Sequence, residues 1–83
     1  MAEQLRSFLR LKQVKTVTGM SRSWTYEAIR RGEFPAPIQL GARAVAWDSA
    51  SIAAWQAARI AGKSDEEIRE LVAKLEAARK AVS

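Results

Sequence analysis

Apolar residues recur along the chain at spacings that predict a helix-turn-helix near its beginning. Leucine and valine occur every third residue in 11–18, which is typical of a short helix, and Gly19 follows as a natural C-terminal cap. Ser21 suits the N-cap of a second helix, which Gly32 ends and the prolines after it prevent from continuing. Two short helices joined by a glycine-containing turn predict a helix-turn-helix unit. Residues 8–9 form either a brief strand or a cap of the core.

Alternating residues then predict a two-stranded hairpin. Residues 38–40 and 44–47 flank a short glycine-containing loop, which places Arg43 at the tip. The alternation directs the larger apolar residues of both strands to one side, namely Ile38, Leu40, Val45 and Trp47. Because an isolated hairpin is only marginally stable, we expect it to pack against the helices.

The remainder of the chain predicts two more helices. Asp48 suits the N-cap of a helix over 49–61, and a glycine stops that helix. Ser64 and Glu67 have the spacing of a capping box for a last helix over 65–82, and the three acids in its first turn suit the helix dipole.

This order of elements predicts a fold class that is mainly α with a small β-hairpin wing. We expect residues 1–62 to form a winged helix-turn-helix domain and residues 63–83 to form an additional amphipathic helix. Trp47 and Trp55 lie on apolar stripes, so both are expected in the core.

Composition narrows the classes of function. The 83 residues include neither Cys nor His, which removes disulfides, the usual structural zinc ligands and the most common nucleophile and general base. We therefore expect no enzyme, no metal and no cofactor. The chain has no apolar run of membrane-spanning length and no apolar signal segment at its start, so a cytoplasmic protein without membrane association is expected.

The charge is concentrated in the first half of the chain. The net charge is +5 and the pI about 10.3. Residues 1–47 hold eight basic and three acidic side chains, whereas residues 48–83 hold six of each. A basic domain with a neutral appendage indicates a polyanionic partner, usually nucleic acid. The alternative is a solvated basic surface that only aids solubility.

A helical wheel of residues 22–31 separates an inward from an outward face. Thr25, Ala28 and Ile29 share the inward arc. The outward arc carries polar and charged side chains, which are Ser23, Glu27 and Arg30, with Tyr26 and Arg31 at its flanks. In a major groove, arginine can bind guanine, glutamate can accept from cytosine, and hydroxyls can bind phosphate. The first turn offers backbone N–H groups to a phosphate, with Arg22 beside them. This face therefore predicts duplex DNA binding.

Three further residues are candidates for the DNA surface. Trp24 falls between the two arcs, so its ring either closes the edge of the core or packs on the sugar-phosphate backbone. Arg43 at the hairpin tip is a candidate for a minor-groove or phosphate contact, although a single loop arginine is often idle. Lys12 faces outward from the first helix and completes the predicted surface.

The last helix carries an apolar stripe at heptad spacing, formed by Ile68, Leu71, Leu75, Ala78 and Val82. Two heptads are short for an independent coiled coil. The stripe either folds back on the core of the domain or associates with a second copy. We favour self-association, because one winged helix contacts few base pairs and DNA-binding proteins of this kind commonly bind as dimers.

Taken in order, these motifs resemble the AlpA family of phage and prophage DNA-binding regulators. The similar segments are 8–12, 18–23, 31–35 and 40–45, together with Tyr26 and Trp47. The resemblance implies a MerR-like winged helix of the kind that phage excisionases use. It also implies that five residues belong to the DNA surface or its support, namely Ser21, Arg22, Ser23, Tyr26 and Arg43.

The resemblance also implies a choice of functions. Members act as transcription activators or repressors, and some are recombination directionality factors that bias an integrase toward excision. Double-stranded DNA is then the main partner, an integrase or RNA polymerase a further one, and the bacterial nucleoid the location. An anti-repressor that uses the last helix for protein contact is the alternative from another class.

Three positions depart from the family pattern. Trp24 stands where the family often has a small Thr or Ser, and Glu27 replaces a common basic residue. Ala46 stands where many members carry Arg. We therefore expect base preference and wing contacts that differ from those of the family.

Overall fold

The computed structural model describes the backbone of residues 7–82 and the side chains of residues 7–79. Its elements are β1 (Phe8–Leu9), α1 (Leu11–Thr18), α2 (Arg22–Arg30), β2 (Ile38–Gln39), β3 (Val45–Asp48), α3 (Ser49–Ile60) and α4 (Asp65–Val82). The strands form an antiparallel sheet in the order β1-β3-β2. This confirms the predicted fold class. None of the helices in the described part of the chain has both the length and the apolar character that crossing a membrane requires.

Polar caps set the beginnings of three helices, as the sequence predicts. The Ser21 side chain accepts the backbone N–H of Trp24 at the start of α2, and Asp48 caps α3 through its own carboxylate. Ser64 and Glu67 exchange the two hydrogen bonds of a capping box at the start of α4. The bond from the Ser64 backbone N–H lowers the pKa of Glu67, so this carboxylate stays charged where the helix dipole favours a negative group.

The turn between α1 and α2 depends on Gly19. This residue has a φ of 73°, a left-handed conformation that glycine adopts without a steric penalty. Its N–H donates to the Lys15 carbonyl at 2.8 Å, which closes the last turn of α1. The chain then reverses within a few residues and enters α2, which gives the predicted helix-turn-helix.

The pairing of the sheet corrects one sequence prediction. Residues 8–9 form a strand, which is one of the two predicted options. Within the hairpin, Ile38 is paired with Ala46. Directly opposed residues share a face of the sheet and neighbours along a strand alternate, so Ile38 lies on the opposite face from Val45 and Trp47. The prediction that the apolar residues of both strands point one way is therefore wrong.

The loop at the hairpin tip explains this register. The N–H groups of Leu40 and Gly41 both point to the Ala44 carbonyl, at 2.7 and 3.3 Å. This double contact ends β2 at Gln39 and leaves Leu40 45% exposed. A slip of one residue moves every side chain to the other face, and the alternation of residue types alone does not fix which register the loop selects.

One hydrophobic core unites the helices and the sheet. Its buried apolar residues are Val14, Ala28, Phe34, Trp47, Ile52, Trp55, Ile68 and Val72. Trp47 and Trp55 are among them, which confirms the prediction for both. Because two members come from α4, this helix shares the core of the elements before it. The division into a domain over residues 1–62 and an additional helix over residues 63–83 stays a prediction.

The inner face of α4 differs from the predicted stripe. Ile68 and Val72, four residues apart, are buried, whereas Leu71 and Leu75 are half-buried and Ala78 is exposed. Residues four apart lie on one side of a helix, and α3 covers that side. Ile68 is thus buried within its own chain, which corrects its assignment to a contact between protomers. The side chain of Val82 lies outside the described residues.

The irregular segment after α2, residues 33–37, is held by two buried indoles. Trp55 Nε1 donates to the Glu33 carbonyl at 2.8 Å, and Trp47 Nε1 donates to the Pro35 carbonyl at 2.9 Å. Both indoles thereby find an acceptor inside the core, and both carbonyls find a donor. We call this segment the clamped loop.

Helix α4 holds the same loop from another side. Ala36 N–H donates to Glu76 Oε2 at 3.0 Å, and Arg79 Nη1 donates to the Ala36 carbonyl at 2.9 Å. Prolines on both sides of Ala36 have no N–H, so a strand partner could not bind this segment by a regular ladder. Side chains of α4 supply the hydrogen bonds instead.

The burial of Ile68 leads to a prediction about stability. Ile68→Ala removes side-chain volume from the core and should lower the free energy of unfolding by about 2–5 kcal/mol. Ile60→Ala is the matched control, because Ile60 is 87% exposed whereas Ile68 is fully buried. Its effect should stay within about 0.5 kcal/mol. Urea denaturation followed by circular dichroism measures both, and equal losses would show that α4 does not cover the core.

Candidate nucleic-acid interface

Helix α2 separates a buried from a polar face. Thr25 and Ala28 are fully buried, and Ile29 is half-buried against the core. The exposed residues of the helix are Arg22, Ser23, Tyr26 and Arg30. This distribution follows the helical wheel, so the inward and outward faces lie as predicted. A convex helix with exposed hydroxyl and guanidinium groups has the shape and chemistry to enter a major groove.

The first turn of α2 is more occupied than the sequence suggests. The Ser21 hydroxyl accepts the N–H of Trp24 at 3.0 Å, and the Ser21 carbonyl accepts both the N–H and the hydroxyl of Thr25. These bonds fix the start of the helix, but they occupy the amides of Trp24 and Thr25, which are then not available to a phosphate. A phosphate at this turn would therefore meet the amides of Arg22 and Ser23.

Tyr26 connects α2 to the wing. Its ring centroid lies 6.2 Å from that of Trp47 in β3, in an edge-to-face arrangement. The Arg22 guanidinium lies 5.5 Å from the Tyr26 ring centroid, within the range of a cation–π contact. Tyr26 therefore packs α2 against the strand that follows the wing loop, while 38% of its surface stays exposed.

Trp24 faces the aromatic core. Its ring meets those of Phe34 and Trp55 edge to face, with centroid distances of 5.9 and 6.0 Å. Of the two predicted roles, this geometry matches closure of the core edge. The structure does not bring Trp24 to the exposed face of α2, because its half-buried ring is directed to these two partners.

Glu27 and Arg30 form an ion pair on the exposed side of α2. Arg30 Nη2 donates to both carboxylate oxygens of Glu27, at 2.6 and 2.5 Å. Arg31 Nη1 lies 3.5 Å from the same carboxylate. The hydrogen bond from Arg30 lowers the pKa of Glu27 and in turn raises the pKa of Arg30. The outward face predicts separate DNA contacts for these three residues, but their spacing of three and four residues is also that of helical ion pairs.

A second acid extends this network to α4. Arg31 Nε donates to Glu33 Oε1 at 3.3 Å, and Arg69 Nη1 donates to Glu33 Oε2 at 2.7 Å. The Glu33 side chain is only 12% exposed, so this bridge is better shielded from water than the pair on α2. Sequence reasoning missed Arg69, because its partner lies 36 residues away and no local spacing indicates it.

The wing tip and α1 supply the remaining candidates. Arg43 is exposed in the loop between β2 and β3, as predicted. The Gln39 side chain donates to the Gly41 carbonyl at 2.7 Å and so stiffens that loop. Lys12 is exposed on α1. The fold thus presents basic groups from three separate elements, and their assignment to DNA stays a prediction.

Comparison with known proteins bears on the same part of the chain. A family profile described as "Prophage CP4-57 regulatory protein (AlpA)" matches residues 7–60. A protein of Enterobacteria phage P4, described as "Uncharacterized protein ORF88", is 50% identical over 56 residues, which are 68% of this chain and 64% of that protein. The similarity therefore spans somewhat less than two thirds of the P4 protein. No solved structure matches the chain.

Proposed function

Because the chain belongs to the AlpA family of prophage regulatory proteins, we propose that it binds double-stranded DNA sequence-specifically and controls transcription of a prophage or other mobile element at the bacterial nucleoid. One observation carries this proposal. The exposed face of α2 is polar and basic, while its opposite face is anchored in the core. A helix anchored in this way can enter the major groove of DNA while its buried side keeps its contacts with the core.

Each basic element has its own role in the proposed complex. Ser23 and Arg30 on α2 reach base edges in the major groove, and Arg22 binds a phosphate beside them. Arg43 on the wing contacts the flanking groove or backbone, and Lys12 on α1 contacts the backbone. All of the net charge of the chain lies in residues 1–47, which include these elements.

An excisionase would use the same surface and is the second candidate. An architectural protein that bends attachment-site DNA for an integrase binds several clustered direct sites, whereas a regulator occupies a site over a promoter. Footprinting on the protein's own genomic neighbourhood separates the two functions. An anti-repressor acting through protein contact alone would leave no footprint.

One prediction concerns the dependence of DNA binding on salt. If the basic elements contact about four or five phosphates per protomer, the logarithm of the affinity should fall with the logarithm of the salt concentration at a slope of about −4. Fluorescence anisotropy with a labelled duplex between about 50 and about 300 mM salt, a range over which the Debye length falls by more than half, measures the slope. A flat response would remove DNA binding from the proposed function.

The wing gives another prediction. Arg43→Ala should lower the affinity for a random-sequence duplex and for a duplex selected from a randomised pool by similar factors, because a phosphate contact carries no sequence information. It should also make the salt slope shallower by about one. Lys74→Ala on α4 removes the same charge outside the proposed surface and should change neither value. A loss confined to the selected duplex would instead place Arg43 on a base edge.

We further propose that copies of the chain associate through the residues of the α4 stripe other than Ile68, which are Leu71, Leu75, Ala78 and Val82. Ala78→Glu would bury a charge in such a contact and should lower the mass measured by sedimentation. Ala77→Glu makes the same change at an exposed position beside the stripe and should leave the mass unchanged. A parent protein that sediments as a monomer at every concentration would overturn this proposal.

A further inference from the structure

The Glu27 carboxylate places a negative charge on the surface that we propose binds DNA, and this charge would repel the DNA backbone. Glu27 is the acidic residue within α2, and it pairs with two arginines of the next turn, Arg30 and Arg31, with both oxygens bound by Arg30 Nη2. The Glu27 and Arg30 side chains are 44% and 75% exposed, so the pair sits where a DNA backbone would approach. Exposed ion pairs contribute little to stability, so a substitution at Glu27 should leave the fold intact.

We propose that Glu27 sets sequence specificity by forming ion pairs that keep Arg30 and Arg31 from binding any phosphate that comes near. Arg30 leaves its ion pair only at a site where a base offers an amino group to the Glu27 carboxylate. The inference rests on the proposed DNA binding. It assigns Glu27 a role as an intramolecular counterion on the recognition helix, in addition to any hydrogen bond that it accepts from a base.

Random DNA and a correct site differ in what they offer this pair. A phosphate attracts Arg30 but repels the Glu27 carboxylate, so part of the attraction is cancelled. A correct site presents the acceptors of a guanine to the guanidinium, and it presents the amino group of the paired cytosine, or of an adenine in a neighbouring base pair, to the carboxylate. Both members of the ion pair then exchange one partner for another. Discrimination therefore comes from an unfavourable contact with wrong sequences as much as from a favourable contact with the right one.

The protonation state supports this role. The hydrogen bond from Arg30 is the main cause that lowers the pKa of Glu27. The carboxylate is therefore ionised at neutral pH, and its repulsion of phosphate is present under ordinary binding conditions. Arg31 also donates to Glu33 at 3.3 Å, and its side chain is less exposed than that of Arg30, 47% against 75%.

Glu27→Gln tests the inference, because glutamine keeps the shape and one acceptor oxygen but removes the charge. If the variant gains one phosphate contact, its affinity for a random-sequence duplex at 0.1 M salt should rise about eightfold and its salt slope should steepen by about 0.9. Affinity for a duplex selected from a randomised pool should rise by less than about twofold, so the ratio of the two affinities falls. The double variant with Arg30→Ala should lose most of the gain on random DNA.

Glu70→Gln is the control, since it makes the same charge change on an exposed residue of α4. It should shift both affinities by less than about twofold. A loss of affinity for the selected duplex alone would show that Glu27 only reads a base, and equal gains on both duplexes would show general charge repulsion. Either result overturns the inference while duplex binding by the parent stands. If the parent binds neither duplex at low salt, the proposed function falls, and this inference falls with it.

Discussion

The clamped loop is the constraint on which the arrangement of the helices and the sheet depends. Its prolines leave few backbone donors, and its carbonyls would be costly to bury without partners. The indole N–H groups of Trp47 and Trp55 meet two of these carbonyls, and each bond joins the loop to a different element. The sheet, α3 and the end of α2 are thereby fixed to one short segment. The orientation of the exposed face of α2 follows from this junction and not from the helix-turn-helix turn alone.

Local signals made most of the fold predictable. Cap residues such as Ser21 and Asp48 act within a few positions of themselves, so the helix boundaries could be derived from the sequence. The strand register could not be derived, because it depends on how the Leu40 and Gly41 amides share one carbonyl in the loop. The observed inner face of α4 is also rotated slightly around the helix axis from the predicted stripe. A heptad pattern and an i, i+4 ridge include many of the same residues, and only the surface of α3 decides between them.

In the candidate site, too, local spacing predicts some features and tertiary packing determines others. The inward and outward faces of α2 follow from the period of the helix, and the structure places them as predicted. The spacing of Glu27 and Arg30 fits a helical ion pair as well as two DNA contacts, and the sequence alone does not decide between them. The bridge from Glu33 to Arg69 had no local signal, since it exists only after α4 packs against the loop. Sequence periodicity thus indicates which side chains are available, and tertiary packing decides which of them are already engaged.

The attachment of α4 has a consequence for what counts as the exchangeable unit of this protein. The family match ends at residue 60, yet Ile68 and Val72 complete the core and Glu76 and Arg79 hold the backbone of Ala36. A graft of the matched segment into another regulator would therefore carry an uncovered apolar flank and a loop without its hydrogen-bond partners. A domain swap that preserves the shape of α2 needs α4, or a helix of equivalent chemistry, to travel with it.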